Sequence, residues 1–307
     1  MKISTHLLFD RASSQMSTVQ NKLTQTQSQL AQGKQIINAS DSPNQAATIQ
    51  RLKSILNRQE SYQSSLNTVK ARLEGEDSSL ESVSDLLVRA KEVAVQGAND
   101  TLSAGDRKAL GTEMKALRDQ MLSLANTKDS NGNYLFSGSR VKQPAFAETP
   151  NGSPEYRGDQ TRMSVRVGEQ RSIPINRTGT DAFVPVARTE ADGTTVGVGY
   201  FKVMDDLIAG LNGSKGTDIR RGVGELDDLM QGVSLSRAAI GTNLNVVDQQ
   251  TAVIEDTTLN LKSTLSSFED LDYASAITKM NQQMMSLEAA QASFGKISKL
   301  NLFNYIN

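Results

Sequence analysis

The chain has 307 residues, with 33 basic against 34 acidic side chains, a formal charge of -1 and no cysteine. A balance this even excludes a general attraction for nucleic acid or anionic lipid, and the missing cysteine excludes a disulfide scaffold and thiolate metal centres. Hydrophobic residues at 37%, aromatics at 5% and no tryptophan suit long helices better than one large globule.

In chain order the first pattern is a heptad. Phe9, Met16, Leu23 and Leu30 recur every seven residues with Ala12, Val19 and Thr26 between them, the spacing of a coiled-coil seam. Gly33 interrupts this helix. Ser40-Asp41-Ser42-Pro43 reads as the start of the next, with Pro43 at an early helical position. Ile49, Leu52, Ile55, Leu56, Tyr62, Leu66, Val69 and Leu73 then keep helical spacing. The pattern returns at Leu80, Val83, Leu86, Leu87, Val93 and Val95 before Gly97, so the segment is one very long helix or two in sequence. Ser103 caps a further helix through Leu110, Met114, Leu117, Met121 and Leu124, ending near Asn126.

The character changes at Asn131. Residues 131–201 are rich in Gly, Pro, Thr and Val, and short strands are expected at 133–136, 163–167, 172–175 and 196–201, with Gly168-Glu169 as a hairpin turn. Helical pattern resumes at 202–211 and again over 218–268. A second heptad seam closes the chain, Tyr273, Met280, Leu287 and Phe294 alternating with Ile277, Met284 and Gln291. The fold class is therefore mainly α with a small β-rich insertion, an elongated antiparallel helical bundle or coiled coil built from both chain ends. Three domains are expected: a terminal coiled coil from 1–40 plus 269–307, a helical core from 41–130 plus 202–268, and the β-rich insertion 131–201. Bounded by Gly and Pro turns, residues 140–195 are expected to be removable at little cost to the helices.

The surroundings of the two seams point to their use. Residues 13–32 hold one charge, Lys22, and residues 274–307 hold four, Lys279, Glu288, Lys296 and Lys299, whereas more than a quarter of residues 41–130 are charged. A stripe this narrow cannot bury itself on a lone helix. Polar but uncharged helices suit burial among copies of themselves, because hydroxyls and amides exchange hydrogen bonds without the desolvation cost of ions. The candidate functional residues are therefore assembly seams: Phe9, Met16, Val19, Leu23 and Leu30 at one end, and Ile277, Met280, Met284, Leu287 and Phe294 at the other.

Catalytic chemistry finds no foothold. His6 is the only histidine, so no Ser-His-Asp, Cys-His or poly-histidine arrangement can form within the chain. Asp129-Ser130-Asn131-Gly132-Asn133 echoes a calcium loop, but its glycine comes too early and Arg140 stands where a bidentate glutamate is required, which leaves a tight turn. Gly193, Gly197 and Gly199 lack dinucleotide spacing, Arg157-Gly158-Asp159 reads as a turn after a strand, and Met280, Met284 and Met285 read as core filler. The chain is read as no enzyme, with no catalytic residue, cofactor or metal ligand.

A family resemblance enters on longer motifs. Ala39-Ser40-Asp41-Ser42-Pro43-Asn44 with residues 46–52, Arg89-Ala90-Lys91-Glu92-Val93-Ala94-Val95-Gln96 with Asn99, and then Asp106-Arg107 and Glu113 resemble the helical core of bacterial flagellins. Residues 270–307 are similar to the family's C-terminal helix. Within the family, Asn131-Gly132-Asn133-Tyr134-Leu135-Phe136-Ser137-Gly138 and Tyr156-Arg157-Gly158-Asp159 resemble the members at the hook-filament junction. So do Arg162, Val167-Gly168, Ile175-Asn176, Gly179 and the ending Lys299-Leu300-Asn301-Leu302-Phe303-Asn304-Tyr305-Ile306. Ser40-Asp41-Ser42-Pro43 stands where flagellins usually carry a double-acidic stretch without proline, which favours the junction members.

The resemblance implies a mechanical protein with no small-molecule substrate, and no nucleic-acid or membrane partner. It would form a ring of its own copies between the first hook-associated protein and flagellin, at the hook-filament junction outside the cell. The termini would line the inner tube and the β-rich insertion would face outward. Arg89, Glu92, Val95, Gln96 and Asn99 are carried over as the family's helical-core motif. Export through the flagellar type III apparatus with a chaperone is implied, and Met1-Lys2-Ile3-Ser4 lacks the apolar run and cleavage site of a secretory signal. The nearest alternative under the same resemblance is a filament flagellin.

Overall fold

A computed structural model describes residues 2–149, 152–190 and 193–303, with side chains described at residue 7 and from 9 to 296 within those ranges. The side chain of His6 and the closing motif from Lys299 onward lie outside the described side chains. Among the described residues the order is α1 (Lys2–Gln32), α2 (Pro43–Gly97), α3 (Ala104–Ala125), β1 (Phe146–Glu148), β2 (Pro154–Tyr156), β3 (Ser164–Arg166) and β4 (Ser172–Pro174). There follow α4 (Gly179–Ala182), β5 (Val186–Thr189), β6 (Thr195–Val198), α5 (Tyr200–Asn212), α6 (Gly216–Glu269) and α7 (Tyr273–Phe303). The protein is mainly α with a small β-rich insertion.

Local chemistry sets the helix ends. α1 stops at Gly33, whose φ of +66° favours glycine, and a Cβ there would stand 2.6 Å from the Tyr273 hydroxyl. Asp41 then accepts hydrogen bonds from the backbone of Ile37 and Asn38 at 3.2 and 2.9 Å, ordering the turn ahead of Pro43. α2 continues without a break for 55 residues, which settles the choice between one helix and two. Ser103 and Asp106 form a capping box at the start of α3, each side chain bonded to the other's backbone N–H.

The chain divides into two compact units, one of Met1–Arg58 with Asp256–Asn307 and the other of Gln59–Glu255. In the second, α2 buries Leu66, Val69, Leu73, Leu80, Val83 and Leu87 in one apolar cluster. The same cluster holds Met114 and Met121 of α3, Met204, Leu207 and Leu211 of α5, and Leu226, Val233, Ile240 and Val247 of α6. The strands form three separate antiparallel pairs, β1 with β2, β3 with β4 and β5 with β6, with Val165 opposite Ile173 flanking the expected hairpin turn.

Two of the four expected strands take another form. Residues 133–136 make only an isolated bridge from Tyr134 to Lys128. The carbonyl of Leu135 accepts from Arg72 at 2.8 Å, and Leu135 and Phe136 are buried in the helical core rather than paired in a ladder. The last strand ends at Val198. Tyr200 and Phe201 open α5 instead, and they are buried there. β1, β2 and β5 are three or four residues long, too short for a period of two to register in the sequence.

The β-rich segment is also not separable. Phe146, Phe183 and Val186 belong to the same apolar cluster as the helices, with Phe183 edge-on to Tyr200 at 5.1 Å and to Phe136 at 5.4 Å, and Phe146 packed on Phe201 at 5.2 Å. Ion pairs reinforce the join. Arg188 of β5 donates to Glu225 of α6 at 2.6 Å and to Asp206 of α5 at 2.8 Å, and Arg118 of α3 donates to Asp205 at 3.1 Å and to Glu148 of β1 at 3.0 Å. Removal of 140–195 would strip side chains from the centre of this core, so the expectation of a cheap deletion fails. Phe183→Ala should destabilise the second unit by about 3–5 kcal/mol, measured as a lowered urea midpoint with unchanged slope.

Candidate functional site

The two chain ends meet in the first unit as an antiparallel pair. Phe9 lies against Phe294 with ring centroids 4.5 Å apart, while at the other end Lys34 bridges Asp270 and Leu271 donates to the Gly33 carbonyl at 3.0 Å. Along α1 the positions shielded from water include Ala12, Met16, Val19, Leu23, Thr26 and Leu30, in steps of four and three, with Ser28 and Gln29 shielded as well near the helix end. Thr26 is the most buried of them, and its hydroxyl donates to the Lys22 carbonyl at 3.0 Å, so that hydroxyl is not stranded.

α7 answers in a register different from the sequence pattern. Its shielded positions are Ala276, Met280, Gln283, Leu287, Ala290 and Phe294. Met280, Leu287 and Phe294 are shared with the heptad read in the sequence, but the residues between them are small or polar, not Ile277, Met284 and Gln291. Small side chains at alternate steps let two helices approach closely. Ile277 and Met284 sit about 100° further round, and they remain 45% and 41% exposed. Tyr273, Met285, Leu7 and Phe9 are exposed as well. α7 thus carries two overlapping stripes, one facing α1 and one facing water. Gln283 Oε1 is buried without a hydrogen-bond partner on the first.

Glu269 fastens the base of this pair, and nothing in the sequence pattern singled it out. Its carboxylate takes Lys34 at 2.6 Å and Lys53 of α2 at 2.9 Å, and its carbonyl accepts from Gln35 at 2.8 Å. Burial raises the carboxyl, but the hydrogen bonds from Lys34 and Lys53 outweigh it and hold Glu269 below its ordinary value. A carboxylate depressed on folding contributes stability that is present near neutrality and lost as pH falls through its folded value. The clasp should therefore loosen in acid.

The helical-core motif is divided between surface and scaffold. Arg89 pairs with Glu92 at 2.8 Å and with Glu113 of α3 at 2.7 Å, while Val95 and Gln96 are exposed on the same helix. Asn99 lies two residues beyond the end of α2. Its side chain accepts from Thr101 N at 3.1 Å and its carbonyl accepts from Arg107 at 2.9 Å. The turn motifs close on themselves, Asp129 accepting from Asn131 and Asn133, and Asp159 from Ser139 and Thr161. Among the described residues no group of three or more His, Asp or Glu side chains could hold a metal ion, and no helix is long and apolar enough to cross a membrane.

Comparison with known proteins places these features. The bacterial flagellin N-terminal helical region matches residues 3–141 and the C-terminal helical region matches 223–306. The flagellar hook-associated protein 3 of Escherichia coli is 28% identical over 99% of both chains, and a flagellin of Listeria monocytogenes is 24% identical over 98% of this chain and 96% of its own. In fold, a crystal structure of flagellar hook associated protein-3 from Legionella pneumophila superposes with a TM-score of 0.65 at 19% identity, covering 71% of this chain and 98% of that one.

Because the α1 and α7 stripes have so little enclosed area, the isolated chain should exchange amide hydrogens in 9–30 and 276–296 much faster than in 66–87. Hydrogen-exchange mass spectrometry of the monomer measures this, and equal protection in both regions would contradict it.

Proposed function

The chain belongs to the flagellin family, and on that premise we propose that it is a structural subunit of the bacterial flagellum, forming the ring that joins hook to filament. The observation that carries this reading is the end-to-end similarity to flagellar hook-associated protein 3, together with terminal helices that leave an apolar stripe unmatched within the chain. Its partners would be further copies in the ring, the first hook-associated protein on one side and flagellin on the other. An export chaperone and the flagellar type III apparatus would carry the chain out without signal cleavage. The filament-flagellin reading ranks second, since the flagellin relative is less similar.

The physical role follows from the helices. Stiff rods that interdigitate through uncharged surfaces resist bending and shear without chemistry, as the passing of torque from hook to filament requires. Met280, Leu287 and Phe294 of α7 and Val19, Leu23 and Leu30 of α1 form the inner seam that joins the two helices, and Ile277 and Met284 form the proposed outer seam. The Arg89, Glu92 and Val95 face of α2 is a second candidate contact.

Immunogold labelling of isolated flagella should mark one narrow band at the hook-filament boundary. Label along the whole filament would turn the reading to the filament subunit. The two stripes of α7 separate by mutation. Ile277→Asp and Met284→Asp lie outside the intrachain packing face, so the variant chain should keep its helicity and melting temperature yet fail to support filaments, because a charge cannot be desolvated cheaply in a packed layer. Normal swimming by the double variant would remove Ile277 and Met284 from the interface.

A further inference from the structure

Glu76 of α2 is fully buried, and its surroundings do not suit an ionised carboxylate. Oε1 stands 3.5 Å from Arg72 Nε and accepts from the backbone N–H of Arg177 at 3.4 Å, whereas Oε2 and Arg72 Nε both lack hydrogen-bond partners. Arg72 turns its other nitrogens elsewhere. Its Nη2 donates to the Leu135 carbonyl at 2.8 Å and its Nη1 lies 3.6 Å from Asp129. A buried carboxylate whose nearest cation is shared with a second carboxylate, and meets it without a hydrogen bond, is poorly compensated, and the neutral acid is the less unfavourable form to bury.

Three parts of the second unit converge on this residue. Arg177, between β4 and α4, also donates its guanidinium to the Ser236 carbonyl of α6 at 2.6 Å, and Ser236 Oγ donates to the Asp181 carbonyl of α4 at 2.7 Å. The charged groups around the junction are Arg72 from α2, Asp129 behind it from the loop after α3, and Arg177 from the β-rich segment. Asp181 is engaged with Arg162, and Arg237 of α6 with Asp77 and Glu81.

We propose that Glu76 is a proton-operated latch, whose neutral acid holds residues 176–181 against α2 and α6 and whose ionisation loosens that docking. Burial pushes the Glu76 carboxyl up to about 7, against the opposing pull of Arg72 and Arg177. A carboxyl raised on folding makes the native state bind more protons than the unfolded chain. Its contribution is complete below the ordinary value of 4.5 and is lost as pH rises through about 7. This direction is opposite to that of the Glu269 clasp, so the two are distinguishable in one titration.

The test is urea unfolding of the full chain at about pH 5.5 and about pH 8.5, with hydrogen-exchange protection read in residues 163–183 against α3 as control. For the wild type, protection in 163–183 should fall relative to α3 as pH rises. Glu76→Gln, which keeps the shape without the charge, should flatten the profile and at the higher pH raise the folded-to-unfolded ratio by on the order of tenfold or more. A Glu76→Gln chain less stable than wild type at both pH values would show that the carboxylate acts as a charged partner of the arginines, and would overturn the latch. So would a variant whose pH profile matches the wild type. If the variant does not fold, the wild type decides alone: protection in 163–183 that does not fall relative to α3 overturns the proposal.

Discussion

A helix buries the side it turns to a partner, and within this chain α1 and α7 turn one side to each other. Apolar residues on the remaining surface, Tyr273, Ile277, Met284 and Met285 on α7 with Leu7 on α1, stay largely exposed to water among the described residues. Apolar area left in water is the driving force for association, and the scarcity of charge means that covering it would strip few ions of their hydration. The remaining features of the first unit serve this arrangement. Gly33 permits the turn that brings α1 back beside α7, and Glu269 with its two lysines fixes where the pair begins.

The second unit is built on the opposite principle. There the buried residues of α2 share one apolar cluster with α3, α5, α6 and the aromatic residues of the β-rich segment, and the buried arginines are paired. Arg188 and Arg118 are nearly buried, and each is held by carboxylates from more than one element. Removing one partner of such a pair leaves an uncompensated charge, so these clasps fix how the β-rich segment is seated on the helices. Glu76 departs from this rule, since its compensation is incomplete.

The position of Glu76 and that of Glu269 give the protein two acid-base elements of opposite sense. The Glu269 contribution builds as pH rises toward the ordinary carboxyl value of 4.5, and the Glu76 contribution is lost between 4.5 and about 7.

The sequence by itself determined the helices. Long runs of period 3.6, the glycine at 33, the proline at 43 and the capping box at Ser103 are local signals, and local hydrogen bonding is enough to realise them. The N-terminal stripe was legible for the same reason, since every heptad residue of α1 except Phe9 is shielded from water. Only the tertiary structure decided the register of α7. A helix with apolar residues on two adjoining stripes can pack by either, and the small side chains Ala276 and Ala290 select the closer approach. Tertiary packing likewise made residues 133–136 part of the helical core and turned Tyr200 and Phe201 into the first turn of a helix. Burial against distant residues overrode their β propensity. Glu269 and Glu76 were invisible for a further reason: an acidic residue in a helix reads as solvated until the elements that enclose it, far away in sequence, are brought together.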